Sequence, residues 1–196
     1  MSVRSSIGLP FLVALLMCFG CSDSIPNSPD DRSFVEVDVD YVRGWTRSTA
    51  TPRDMWEPDE QLAAMAAEQW GPFSPCTSEV PTLEENLIEF NTTGCAAYSS
   101  HAPLPVAVPA GSVIELVISH STLFAPTSAE GRMLVRWEGQ DLITWTRSIP
   151  GPTDIATTYW RTERAWEAGA MLGVHVSNHG ANSWYLIAVN LLTPPE

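Results

Sequence analysis

From Tyr98 to the C-terminus, apolar residues recur at every second position in one short run after another. The runs "LPVAV", "SVIELVISH", "GRMLVRW", "LITWTRS", "IATTYWRTERAW", "AMLGVHVSN" and "SWYLIAVNLL" are separated by Pro, Gly, Asn and Ser. A period of two is that of a strand with one face buried. "FVEVDVDYV", Phe34 to Val42, adds a first strand, with Val35, Val37, Val39 and Tyr41 facing inward and Glu36, Asp38 and Asp40 facing water. About eight strands at this spacing predict an all-β, two-sheet β-sandwich of the jelly-roll kind. One stretch has another period: in "WEPDEQLAAMAAEQWG", Leu62, Met65 and Ala66 lie on one helical face between a Pro58–Asp59 start and a Gly71 stop. That spacing predicts a short helical insertion over about residues 59–70. "GPFSPC" through "NTTGC" reads as a loop-rich connection. In "GRMLVRWEGQDLITWTRS", a tight turn at Gly139 and Gln140 would pair Trp137 with Leu142 and Val135 with Thr144.

The first residues follow none of these patterns. Arg4 precedes an apolar run from Ile7 to Phe19 that ends on Gly20, the layout of a secretory signal and too short to span a bilayer comfortably. The residues after it, "SDSIPNSPDDRS", have the composition of a disordered tether. The domain plan is therefore a signal peptide over 1–20, a tether over 21–32 and a β-sandwich over 33–196.

Charge removes whole classes of function. Ten Arg and no Lys stand against twenty-three acids, a net charge of −13. Such a chain repels nucleic acid, and without lysine it has neither Schiff-base chemistry nor a P-loop. The nucleophile elbow GxSxG, the SxxK pair and the zinc helix HExxH are absent from the sequence.

Candidate sites remain in three places. Cys76 and Cys95 are an even pair for a disulfide outside the cytosol, closing a loop of about twenty residues worth roughly 3 kcal/mol. His120 shares an inward face with Ile114, Leu116 and Ile118, while His175, Ser177 and His179 lie on the side away from Val174 and Val176. If His120, His175 and His179 meet, neutral imidazoles would hold zinc or copper; otherwise they satisfy backbone groups at strand ends, and the chain needs no cofactor. Eight tryptophans are available for packing or for ligand stacking. On the expected hairpin, Trp145 lies on the less apolar side with Arg136, and with Trp160 it forms the candidate aromatic and cationic binding face. "NHGANSW" reads as a turn in which asparagine side chains hold loop amides, with Trp184 opening the last core strand.

Cys18, Phe19, Gly20 and Cys21 resemble the lipobox of bacterial lipoprotein signal peptides, in which the chain is cut before a cysteine that carries lipid. The resemblance implies cleavage after Gly20, acylation of Cys21 and a place in the cell envelope. Ser22 after the modified cysteine implies the outer membrane. Residues 104–192 are similar to uncharacterised bacterial outer-surface lipoproteins and to the jelly-roll domains of carbohydrate-binding modules, with no motif that carries functional residues over. The expected function is a lipid-anchored, non-enzymatic module for a glycan or a protein partner of the envelope. The alternatives are the histidine metal site, serving metal handling or a metalloenzyme, and a structural subunit of an envelope assembly.

Overall fold

The computed structural model describes residues 34–53, 55–71, 74, 76, 81–84, 87–93, 95–178 and 182–194. The expected signal peptide, tether and lipidated Cys21 lie outside the described residues, as does His179.

Short strands come first: β1 (Phe34–Glu36), β2 (Thr46–Thr49), β3 (Glu57–Pro58), then helix α1 (Glu60–Trp70), then β4 (Thr82–Glu84) and β5 (Leu87–Asn91). Longer strands follow as β6 (Ala97–Pro103), β7 (Val113–His120), β8 (Ala129–Trp137), β9 (Gln140–Ile149), β10 (Asp154–Thr162), β11 (Met171–Ser177) and β12 (Ser183–Thr193). They form two antiparallel sheets. One runs β1-β10-β7-β12-β5-β4, with β2 on the far half of β12; the other runs β3-β6-β11-β8-β9. The chain crosses between sheets after β2, β3, β5, β6, β7, β9, β10 and β11, so neither sheet is a simple meander.

The core lies between the inner faces. Ile114, Leu116 and Ile118 of β7 meet Met133, Val135 and Trp137 of β8 and Val174 and Val176 of β11 there, all buried. Trp184 and Phe90 fill the same layer. At one end Phe34 stacks on Trp166, with ring centroids 5.4 Å apart. Gly131 is required by this packing, because a Cβ there would stand 2.6 Å from Trp184 Cζ2. Cys76 and Cys95 form the expected disulfide, with Cα atoms 5.1 Å apart.

Helix α1 has the expected ends. The Asp59 carboxylate accepts from Leu62 N at 2.8 Å as N-cap, and Gly71 takes a positive φ of 97° at the C-terminus. It lies on the outer face of the five-stranded sheet, and Gly173 lets Leu62 approach.

Four expectations are corrected. Residues 34–42 are not one strand: β1 ends at Glu36, and Asp38 caps a 3-10 turn over Val39–Val42 by accepting from Asp40 N at 2.8 Å. Phe34 and Val42 are the buried residues, whereas Val35, Val39 and Tyr41 are exposed by 38%, 54% and 47%. The connection from Gly71 to Cys95 contains β4 and β5, and Ile88 and Phe90 of β5 are core residues. In place of "LPVAV", the strand is β6, immediately before it. In the hairpin, the loop is Glu138 and Gly139, both at positive φ as a type I′ turn demands, so Trp137 pairs with Gln140. An extra residue in β9, Leu142, then shifts the register between Val135–Ile143 and Arg136–Asp141.

Candidate functional site

That bulge decides the fate of Trp145. Beyond it, Trp145 faces Met133 across the ladder and turns into the core at 5% exposure. Trp160 packs on the same core from β10, in the other sheet. Arg136 alone of the three reaches the outer face, where Nε lies 2.5 Å from Asp141 and Nη1 donates to Met65 Sδ at 2.8 Å. The expected face of Trp145, Arg136 and Trp160 is thus divided between the core and the outside.

The histidines are also kept apart. The His120 ring sits between the sheets against Trp145 and Trp184, centroids 4.8 and 5.0 Å away, and its Nδ1 meets Ser121 O at 2.8 Å. Burial lowers its pKa, and the Ser121 carbonyl offsets part of that. His175 points from β11 to the opposite side of the five-stranded sheet, beneath Trp70 of α1, with Nδ1 2.7 Å from Ser99 Oγ. Burial pushes its pKa down to about 4. A β-sheet therefore separates His120 from His175, which overturns a shared ion. Among the described residues no three His, Cys, Asp or Glu side chains form a metal-binding group.

"NHGANSW" matches its reading where it is described. Asn182 holds both Phe124 N and Phe124 O, and Asn178 bridges it to Thr92, a buried network tying three loops together.

Two concavities carry polar chemistry. A cleft of about 710 Å³ opens between the start of α1 and the β8–β9 turn. Its polar wall holds Asp59, Glu60, His101, Arg136 and Glu138. Asp59, already the helix cap, places its second oxygen 3.2 Å from His101 Nδ1. Glu138 accepts from Met171 N at 2.5 Å. Most of these charges are thus already matched within the fold.

The second is a groove of about 480 Å³ between residues 36–39 and β10, lined by Glu36, Asp38, Val39, Thr157, Thr158 and Tyr159. Val37 N donates to Tyr159 O at 2.9 Å, which fixes this segment along the sheet edge. Past Val39, the 3-10 turn presents Tyr41 beside Trp45, centroids 5.3 Å apart. Arg161 lies two residues along β10 from Tyr159 and pairs with Glu163 at 2.9 Å. Trp45 is half-buried on Val42, Val113 and Leu192, a small second core on the outer face of the seven-stranded sheet. Beside that core, Glu115 is buried. Burial works to raise its pKa, but bonds from Arg47 at 2.9 to 3.1 Å and from Asn190 at 2.7 Å outweigh that and hold it below the usual carboxylate range. The groove's Tyr159 and the ring of Trp45 thus rest on the same packed base. Alternation missed Tyr41 by assigning it inward; the signal against a strand was Asp38, a cap residue at the head of a turn that ends at Gly44.

No protein-family model matches the sequence, and no curated protein matches it either. Solved structures do show likeness. An arabinose-bound α-L-arabinofuranosidase, MgGH51, aligns with 84% of this chain at 10% identity and TM-score 0.39, and the chain spans 23% of that enzyme. The carbohydrate-binding module TmCBM61, solved in complex with β-1,4-galactotriose, aligns over 78% of this chain and 90% of its own at 10% identity and TM-score 0.34. A CBM4 module aligns over 60% of this chain and 88% of its own at 13% identity and TM-score 0.35.

Proposed function

We propose that this chain is a lipid-anchored envelope module that binds a glycan along the groove between residues 36–45 and β10. The supporting observation is the Tyr41–Trp45 pair, an exposed ring beside a half-buried one, on the turn that follows the groove's first wall, with Trp45 packed on the same small core as the groove's Tyr159. Sugars present apolar C–H faces and a rim of hydroxyls; an aromatic face suits the first, and carboxylate, guanidinium and threonine groups suit the second. The groove lies within the roughly 300–1,000 Å³ range typical of ligand sites. Cys21 is the proposed anchor, and the outer membrane the proposed address.

The test is a glycan array with the soluble domain, Ser22 to Glu196, followed by affinity measurement on any glycan retained. Tyr41→Ala should weaken binding by about 10- to 30-fold, the loss of one good anchor. Its melting temperature should hold, because Tyr41 is half-exposed and outside the main core. Unchanged affinity in Tyr41→Ala would remove the groove as the site.

A further inference from the structure

We infer that the glycan taken by this groove carries protonated amines, as a chain of unacetylated hexosamines does; the inference rests on the glycan reading just given. It starts from how charges are matched around the groove. Arg43 is paired with Asp40, and Arg161 with Glu163. Glu36 and Asp38, which line the groove itself, have no ion-pair partner among the described residues. Asp38 uses one oxygen on Asp40 N at 2.8 Å, and the contact of Glu36 with Thr158 Oγ1 is long, at 3.5 Å. Each carboxylate therefore keeps acceptor capacity for a donor from outside.

The nearby aromatic pair has the same preference. The face of a tyrosine or tryptophan ring is electronegative and attracts a cation, and here that face lies on the same short segment as the two free carboxylates. Thr157 supplies a hydroxyl for the neutral part of a sugar. Over longer range, a chain at −13 with no lysine attracts a cationic polymer and repels uronates and sulfated glycans. The groove, the ring pair and the whole-molecule field thus favour one ligand class.

The experiment compares a glucosamine hexamer, its fully N-acetylated counterpart and an oligogalacturonate on the soluble domain, by calorimetry at about pH 6, where an amine of the α-amino type is charged. The glucosamine hexamer should bind about tenfold tighter than the N-acetylated one, its advantage should shrink with added salt, and the oligogalacturonate should not bind. In Glu36→Gln combined with Asp38→Asn, which keep the hydrogen-bond acceptors, the advantage should vanish while N-acetylated binding persists. Equal or tighter binding of the N-acetylated hexamer, sensitive to Tyr41→Ala, would overturn the inference and leave the glycan reading standing. Failure of both hexamers, with no Tyr41-dependent glycan on the array, would overturn both.

Discussion

His175 is a base the fold keeps neutral. Its ring is enclosed by Ser99, Trp70 and the outer face of β11, and its pKa falls from 6.5 to about 4. The folded state therefore resists its protonation while the unfolded chain does not. Stability from this residue is complete above pH 6.5 and is lost as pH falls through the window down to about 4. A shift of that size corresponds to about 3 kcal/mol. Urea unfolding at neutral pH and at the acid end of the window should show a loss of this order. His175→Gln, uncharged throughout, should flatten most of the slope, and an unaltered slope would mean the ring is solvated. His120 has the same sign and leaves a residual slope. At this scale the alternation of apolar positions read two side chains well: His120 inward beside Ile118, and His175 opposite Val174 and Val176. It failed at Trp145 because one added residue, Leu142, reverses every side chain after it, and a bulge leaves no mark in a pattern of two.

Helix α1 was legible at both ends because capping is local chemistry: Asp59 and Gly71 act on backbone groups within one turn. What the local pattern did not show is that Asp59 serves twice, as cap and as partner of His101 in the larger cleft. The two roles separate by substitution. Asp59→Ala removes both and should cost about 1–2 kcal/mol. Asp59→Asn keeps the cap acceptor and changes only the partly exposed contact with His101, a cost of at most about 1 kcal/mol. Denaturant titration of both variants at neutral pH checks the order, and equal losses would mean the His101 contact dominates. The long strands were legible for the same local reason as the helix. The short ones were not. In β5, "LIEFN", Leu87 to Asn91 fall within the stretch that reads as a loop-rich connection, and only pairing with β12 makes Glu89 a buried residue opposite Tyr185. For residues 34–42, alternation and capping disagreed, and the cap prevailed because the 3-10 turn seats Val42 against Val113 and Leu192.

At the scale of the whole molecule, charge constrains how the proposed anchor works. A single acyl chain holds a protein only marginally, and a polybasic surface often supplies the second attachment. This chain has none: ten arginines against twenty-three acids and no lysine give a net −13, which an anionic lipid surface repels. Attachment would then rest on the acyl groups of Cys21 alone, with no electrostatic reserve. The expected outcome of Cys21→Ser in a bacterial host that processes lipoproteins is therefore complete: the wild-type chain in the membrane fraction, released by detergent and untouched by a high-salt wash, and no acylated, cleaved form of the variant. Cys18→Ser should leave attachment intact, because Gly20 and Cys21 are unaltered. Mass spectrometry of the mature N-terminus reads the same result directly, as a chain beginning at an acylated Cys21. Salt-sensitive attachment, or acylated material in the Cys21→Ser chain, would place the anchor elsewhere and leave the groove, whose residues begin at Glu36, to be judged on its ligand alone.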